Sequence, residues 1–254
     1  MADNTKVLAL EPTASGGVFV APLGSTAPTD ARSALDAAFI DLGGVGEDGV
    51  AEQTDRNIEK KRNWGGKVVK TLQTEYSKIF TWVFLESTNA DVLRAIHHSS
   101  NVSETAANSS HGNILHVKHN VKRPQKLSWV FDSYDSELDA MYRTYVPIGQ
   151  VLTTGDVKRV HTDTIEYEVE LEAFEDENGD LSLDWLDDGQ LVTPVPPNWQ
   201  ATHAYAVGEY AKLTSGNKEL VCVSAGTSGA SAPTAPGLGG YVTDGTVIWQ
   251  QISA

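Results

Sequence analysis

The stretch TIEYEVELEAF, Thr164 to Phe174, alternates with period two. Ile165, Tyr167, Val169, Leu171 and Ala173 fall on one side of an extended chain, and Glu166, Glu168, Glu170 and Glu172 on the other. Alternation of this kind belongs to a strand, because successive Cβ atoms point to opposite faces of a sheet. Neighbouring glutamates on one strand face stand about 7 Å apart and repel by roughly 0.6 kcal/mol per pair in water, less with salt. A wet face tolerates this and a dry core does not. The chain must therefore build a sheet with one buried and one solvated side.

A second long run follows the same rule. In KVVKTLQTEYSKIFTWVFLES, Leu72, Tyr76, Phe80, Trp82 and Phe84 are expected on one face, and Thr71, Gln73, Glu75, Ser77 and Thr81 on the other. At about 3.4 Å per residue this is a long strand or a bent pair. Val18 to Ala21 is a short apolar strand, and ARSALDAAFIDLG a short helix or an irregular connector. STNADVLRAIHH predicts a short helix, with Asn89 as N-cap, Asp91 in the first turn and Val92, Leu93 and Ile96 as the apolar stripe. SSNVSETAANSSHGN reads as a polar loop. Two strands broken near Pro124 follow, then an extended run from Leu138. ENGD, Glu177 to Asp180, holds the Asn-Gly pair of a tight hairpin, with LSLDWL as the returning strand. Gly43 to Gly66, rich in glycine and charge with little periodicity, reads as a long loop.

The composition changes at the proline-rich LVTPVPPNW: 31 of the 34 acids and 17 of the 19 basic residues lie before Asn198. The remaining chain is rich in Gly, Ser, Thr and Ala with interspersed Trp and Tyr. The expected organisation is a domain over residues 1–197 and a small β domain over 198–254.

Charge and cysteine usage bound the function. A net charge of −15 repels phosphates and anionic membrane, which disfavours a tight nucleic-acid binder. Cys222 is the single cysteine, so no disulfide can form within the chain, as suits a reducing cytosol. The N-terminus MADNTKVLALEP lacks the features of a secretion signal, and no window is apolar enough to span a bilayer. The expected product is made soluble in a cytosol.

No residue pattern points to catalysis. The acids are too many and too regularly placed to single out a working pair. DENGD lacks the ligand run of an EF-hand, and the hairpin turn explains it. His116 and His119, three apart in a predicted strand, fall on opposite faces, so zinc has weak support. There is no nucleotide fingerprint, nucleophile elbow or Cys-His arrangement. NVS and NSS match a glycosylation sequon that a cytosolic product never presents to the machinery. No cofactor and no metal are expected, and a structural or binding protein is favoured over an enzyme.

The order of pieces across residues 18–176 resembles the major tail tube protein of long, non-contractile phage tails. The pieces are VFVAPLGSTAPTDA, then DLGGVGEDGV before the long loop, then a Trp leading into KVVKTLQTEYSKIFTWVFLE, then a short helix. The resemblance implies a mainly β fold: a tail-tube-type β-sandwich or barrel with one flanking helix and a long inter-strand loop. It implies hexameric rings whose inner sheets close into one barrel, stacked into a virion tube through which DNA passes without tight binding. It also implies tape-measure, tail terminator and distal tail proteins as partners beside further copies of the chain. In that setting the lumen-lining candidates are Glu166, Glu168, Glu170 and Glu172, or the face of Thr71, Gln73, Glu75 and Ser77. A basic lining would hold phosphates through counterion release, whereas an acidic one keeps the polymer moving. The loop's Arg56, Lys60, Lys61, Arg62 and Lys67 are candidates to meet the acidic surface of an adjacent ring, with Trp64 as apolar anchor.

The C-terminal stretch NWQATHAYAVGEYAKLTSGNKELVCVSAGTSGASAP is similar to small carbohydrate-binding modules of the chitin-binding type, through Trp199, Tyr205, Gly208 and Tyr210. The resemblance implies sugar stacking on Trp199, Tyr205 and Trp249, and a surface glycan as partner. CVSAGTSGASAP departs from the pattern where such modules place an exposed aromatic. The competing expectation is that Trp199, Tyr205 and Trp249 form the core of a tiny domain decorating the outside of a tube. A sugar-binding adhesin or capsid-decoration protein is the alternative to the tail tube reading.

Overall fold

The computed structural model describes residues 6–13, 15–191, 196–216 and 218–253. Residues 1–5, and residues 192–195 of the proline-rich break, lie outside the described residues. The chain divides into two compact units, Met1–Gln190 and Leu191–Ala254.

The first unit is mainly β and contains strands β1 (Glu11–Pro12), β2 (Val18–Ala21), β3 (Ile40–Asp41), β4 (Ala51–Arg62) and β5 (Val68–Phe84). Helix α1 (Ala90–Ile96) comes next, then β6 (Val102–Thr105), β7 (Ile114–Val117), β8 (Lys126–Asp135), β9 (Ala140–Thr154), β10 (Tyr167–Phe174) and β11 (Leu183–Asp187). One antiparallel sheet runs β3-β2-β8-β9-β10-β5-β4, with β1 added to β8 and β11 to β9. It does not close into a barrel and is consistent with a β-sandwich.

The alternation seen in the sequence is what buries the core. Val169, Leu171 and Ala173 of β10 point inward beside Phe80, Trp82 and Phe84 of β5 and Trp129, Val146 and Val151 of β8 and β9. Val92, Leu93, Ala95 and Ile96 cap this layer from α1. The Asn89 side chain accepts hydrogen bonds from the Asp91 and Val92 amides, which satisfies two of the helix's unpaired N-terminal donors. Trp82 sits edge-on to Phe84, Trp129 and Phe131 at 5.3–5.5 Å between centroids. Gly149 of β9 permits this packing: a Cβ there would lie 2.8 Å from Trp129 Cδ1 and 3.1 Å from Leu171.

The opposite face of β8 and β9 is covered by the chain between β2 and β3. Ala21, Phe39, Val130 and Tyr145 form a second cluster there, with Leu35, Ala38 and Trp185 packed against it. The stretch ARSALDAAFIDLG is thus a connector rather than a helix. A buried ion pair fastens it. Arg143 donates from Nε and Nη2 to the two carboxylate oxygens of Asp132, both at 2.7 Å, and from Nη1 to the carbonyls of Asp30 and Ser33.

Three expectations change. Gly43 to Gly66 is not a loop throughout: Ala51–Arg62 is a twelve-residue strand paired with β5. It shows no periodicity in sequence because both of its faces are exposed. The polar stretch after α1 contains β6, paired with β7. The Asn-Gly turn forms, with Gly179 at φ +86° and the Asp176 carboxylate accepting from the Asn178 and Asp180 amides. The returning strand β11, however, pairs with β9. Both edges of β10 are already taken by β9 and β5, so β11 has no place beside it.

The second unit holds β12 (Ala204–Tyr205), β13 (Tyr210–Leu213), β14 (Lys218–Ser224), β15 (Gly226–Thr227), β16 (Tyr241–Asp244) and β17 (Val247–Gln251). Its four-stranded sheet runs β13-β14-β17-β16. Tyr205, Ala211, Leu213, Leu220, Cys222, Val247 and Trp249 make its core. Asp244, itself buried, gathers three donors: the indole N–H groups of Trp199 and Trp249 at 2.8 and 3.1 Å, and the Gly229 amide at 2.8 Å.

Candidate functional site

The wet face of the sheet is built strand by strand from the register. Glu168, Glu170 and Glu172 stand opposite Val83, Thr81 and Ile79 of β5. On the other side Glu170 and Glu172 stand opposite Thr153 and Gln150 of β9. Directly paired residues share a face, so all of these lie on the side away from the aromatic core. Glu168 is exposed, whereas Glu170 and Glu172 are half-buried among the neighbouring strands. Glu166 precedes the first residue of β10 and accepts a 2.9 Å hydrogen bond from the Thr164 hydroxyl. Thr153 donates to Glu170 at 3.4 Å, and the Lys126 ammonium lies 3.8 Å from the Phe174 ring centroid.

The second candidate row divides. Ser77 pairs with Asp55, and Glu75 with Asn57, which places both on the glutamate face. The register then shifts: Asn57 pairs with Glu75 but Ile58 pairs with Gln73. Thr74 is the extra residue, its hydroxyl donating to the Asn57 carbonyl at 3.3 Å. An unpaired residue in one strand reverses the facing of everything beyond it. Thr71 and Gln73 therefore lie on the opposite side from Glu75 and Ser77, with Tyr76, Arg56, Ile58 and Lys60. The expectation of one continuous Thr71–Ser77 face is corrected, as is the shared face of Leu72 and Tyr76. Period-two counting cannot see a bulge, because an inserted residue leaves the composition of both strands unchanged.

The β4–β5 hairpin carries the basic cluster. β10 accompanies β5 only from Phe84 to Ile79, so towards the tip β5 has β4 alone as its strand partner among the described residues. Near its base, buried Lys78 pairs with Glu52 at 2.6 Å and lies over the Phe80 ring. Farther out the Arg56 guanidinium lies 5.0 Å over the Tyr76 ring. Lys61 pairs with Glu59 at 2.6 Å. At the tip Arg62 donates to the Gly66 carbonyl, and the Asn63 side chain accepts from the Lys67 amide. Lys60 and Lys67 are exposed, and Trp64 is wholly exposed. Ile58, Val68, Val69 and Tyr76 add exposed apolar surface along the same ribbon.

In the second unit the aromatic residues sort differently from the stacking expectation. Trp249 has no exposed surface and Tyr205 is 6% exposed, so neither ring offers a face to a sugar. Trp199 packs half-buried against the same core. The exposed rings are Tyr210 and Tyr241, and pairing lines them up across the sheet as Tyr210, Val221, Gln250, Tyr241.

Other candidate chemistry stays unassembled. No group of three or more His, Cys, Asp or Glu among the described residues is placed to hold a metal. His119 packs edge-on to His97 at 5.1 Å instead. Burial, and secondarily the proximity of His119, holds His97 below the usual imidazole pKa. No helix among the described residues is long and apolar enough to cross a membrane.

The model of a family described as phage tail tube protein matches residues 1–197, the whole of the first unit and the start of the second. The chain belongs to the phage tail tube protein family. A search of curated proteins returns no match. Membership makes this chain a structural subunit of the virion tail that assembles with further copies of itself and with other tail proteins.

Proposed function

We propose that this tail tube protein forms stacked, hexameric rings of the siphovirus type around an acidic bore that conducts DNA during ejection. The observation that carries the reading is one acid-rich face that runs from Gln150 and Thr153 through Glu168, Glu170 and Glu172, past Ile79, Thr81 and Val83, to Ser77 and Glu75. A row of carboxylates keeps its charge only in water. A water-filled bore supplies that water while the opposite face stays dry. Carboxylates repel the phosphodiester backbone and prevent the multi-contact adhesion that lysines would create. In this reading the hairpin joins successive rings. Ring closure and open-ended stacking need different surfaces, and the sheet edges and the hairpin are separate ones. Tape-measure, terminator and distal tail proteins are the further partners.

Changing Glu166, Glu168, Glu170 and Glu172 together to Lys tests the bore. The expected result is normal tubes in the electron microscope with DNA retained in the tail or ejection blocked. Normal infectivity of that phage overturns the lumen assignment.

A second reading, for the second unit, has one observation in its favour, the row Tyr210, Val221, Gln250, Tyr241 with an exposed ring at each end. Two exposed rings flanking an amide on a sheet face are suited to stack on a surface glycan, with Gln250 contributing hydrogen bonds. The full chain and its Tyr210→Ala/Tyr241→Ala variant on a glycan array decide this. Equal signals from both, or none from either, exclude sugar recognition by this face.

A further inference from the structure

We infer that the hairpin tip of one subunit docks, through Trp64, into the cleft at the base of the hairpin of a second copy. The inference rests on the ring-stacking reading and names the receptor that the reading leaves unspecified.

The cleft has a volume of about 630 Å³. Its apolar lining includes Pro12, Val45, Val50, Phe80 and Phe131, and its rim carries Glu11, Glu47, Asp48 and Glu52. Among the described residues neither Lys nor Arg lines it. Lys78 neutralises Glu52, while Glu47 and Asp48 are exposed on the loop before β4. The cleft therefore offers an aromatic floor inside a negative rim.

The tip is its complement. Trp64 is fully exposed, and Lys60, Lys61, Arg62 and Lys67 surround it in sequence. Burying an indole in a pocket ringed by opposite charge is the pattern of an interface anchor. Leaving it in water is unfavourable for an assembling protein, because it exposes a large apolar ring at the end of a ribbon.

Reach decides which copy is served. Glu52 stands at the cleft and Trp64 lies twelve residues further on, along a paired, extended strand. At about 3.4 Å per residue the tip stands roughly 40 Å from its own cleft. A hydrogen-bonded ribbon cannot fold back over that distance without breaking its ladder. The occupant must come from a second subunit displaced along the ribbon. The contact is heterologous, since tip and cleft are different surfaces, and so it propagates without closing. It also bounds the step between successive rings at roughly the ribbon's length, about 40 Å.

The test is assembly and crosslinking of the full chain. In tubes of a Trp64→Cys/Asp48→Cys variant, a short bifunctional maleimide is expected to give a ladder of linked subunits, and either single variant is not; Cys222 is buried and stays silent. Trp64→Ala should raise the concentration needed for tubes by about thirtyfold or more, as for loss of an interface anchor. Glu47→Lys/Asp48→Lys should abolish tubes, and adding Lys60→Glu/Lys61→Glu/Arg62→Glu should restore them. Rescue excludes misfolding as the cause of the first loss. Wild-type tubes that yield no ladder, or double-lysine variants that assemble normally, overturn the docking while the tube stands. Failure of the wild-type chain to form rings or tubes at all overturns the stacking reading instead.

Discussion

Arg143 is the residue on which the covering layer of the first unit depends. It is 4% exposed, its two nitrogens engage both oxygens of Asp132, and its third reaches the carbonyls of Asp30 and Ser33. Replacing it with Met leaves the Asp132 carboxylate buried without its cation and releases the connector that covers Val130 and Tyr145. The expected loss is about 3–5 kcal/mol of unfolding free energy. Denaturant unfolding followed by tryptophan fluorescence measures it, and a loss below about 1 kcal/mol excludes the fastening role. His97 is a second sensitive position. Its folded-state pKa lies below that of the unfolded chain, first through burial and then through His119. The unfolded chain therefore binds the proton more readily. Stability is full above the ordinary imidazole value near 6.5 and falls as pH drops from there towards the folded value. His97→Gln is expected to flatten the pH dependence of melting below about pH 6.5. An unchanged slope in that variant assigns the dependence to other groups.

Among elements, the β4–β5 hairpin separates backbone pairing from burial. Its twelve-residue strand has no buried side chain, yet it holds an extended ladder with β5. An isolated two-stranded ribbon is marginal in water, and this one is anchored at its base by Lys78, Phe80 and the core strands. The bulge at Thr74 sets what each face presents. It brings Gln73 and Thr71 to the side of Tyr76 and leaves Glu75 and Ser77 on the side of the glutamates. Inserting one threonine between Asn57 and Ile58, opposite Thr74, is expected to return Thr71 and Gln73 to the Glu75 side and to turn the tip's side chains over. Monomer melting should shift little, because both faces of the distal ribbon are solvated, whereas tube formation should fall sharply. Electron microscopy beside calorimetry reads both, and normal tubes from the insertion variant show that hairpin facing does not matter for assembly.

For the whole molecule, charge is distributed unevenly. The body is strongly acidic, and the hairpin tip concentrates Lys60, Lys61, Arg62, Lys67 and Lys70. A subunit of this kind repels its neighbours except where a basic tip meets an acidic surface, which orients assembly. The expected consequence is salt sensitivity. Tube formation should weaken as ionic strength rises from about 0.05 to 0.5 M, over which range the Debye length shrinks below the size of one contact. Sedimentation across that range checks it, and salt-independent assembly places the dominant contacts on apolar surface instead.

The strand at Glu168–Phe174, the long strand ending in Phe84 and the capped helix at Ala90 were legible in the sequence. Each buries one face, and burial on one face imposes a period that local reading detects. The hairpin strand at Ala51 was not, because with both faces wet it obeys no period. The pairing of β11 with β9 depended on β10 having no free edge, and the facing of Thr71 and Gln73 on one bulged residue. The burial of Tyr205 and Trp249, and the exposure of Tyr210 and Tyr241, followed from which side of a four-stranded sheet met the small core. Composition and alternation alone determined that this chain is a β protein with a wet acidic face. Which residues share that face was decided in three dimensions, because register joins strands that are far apart in the chain and leaves no mark on either one.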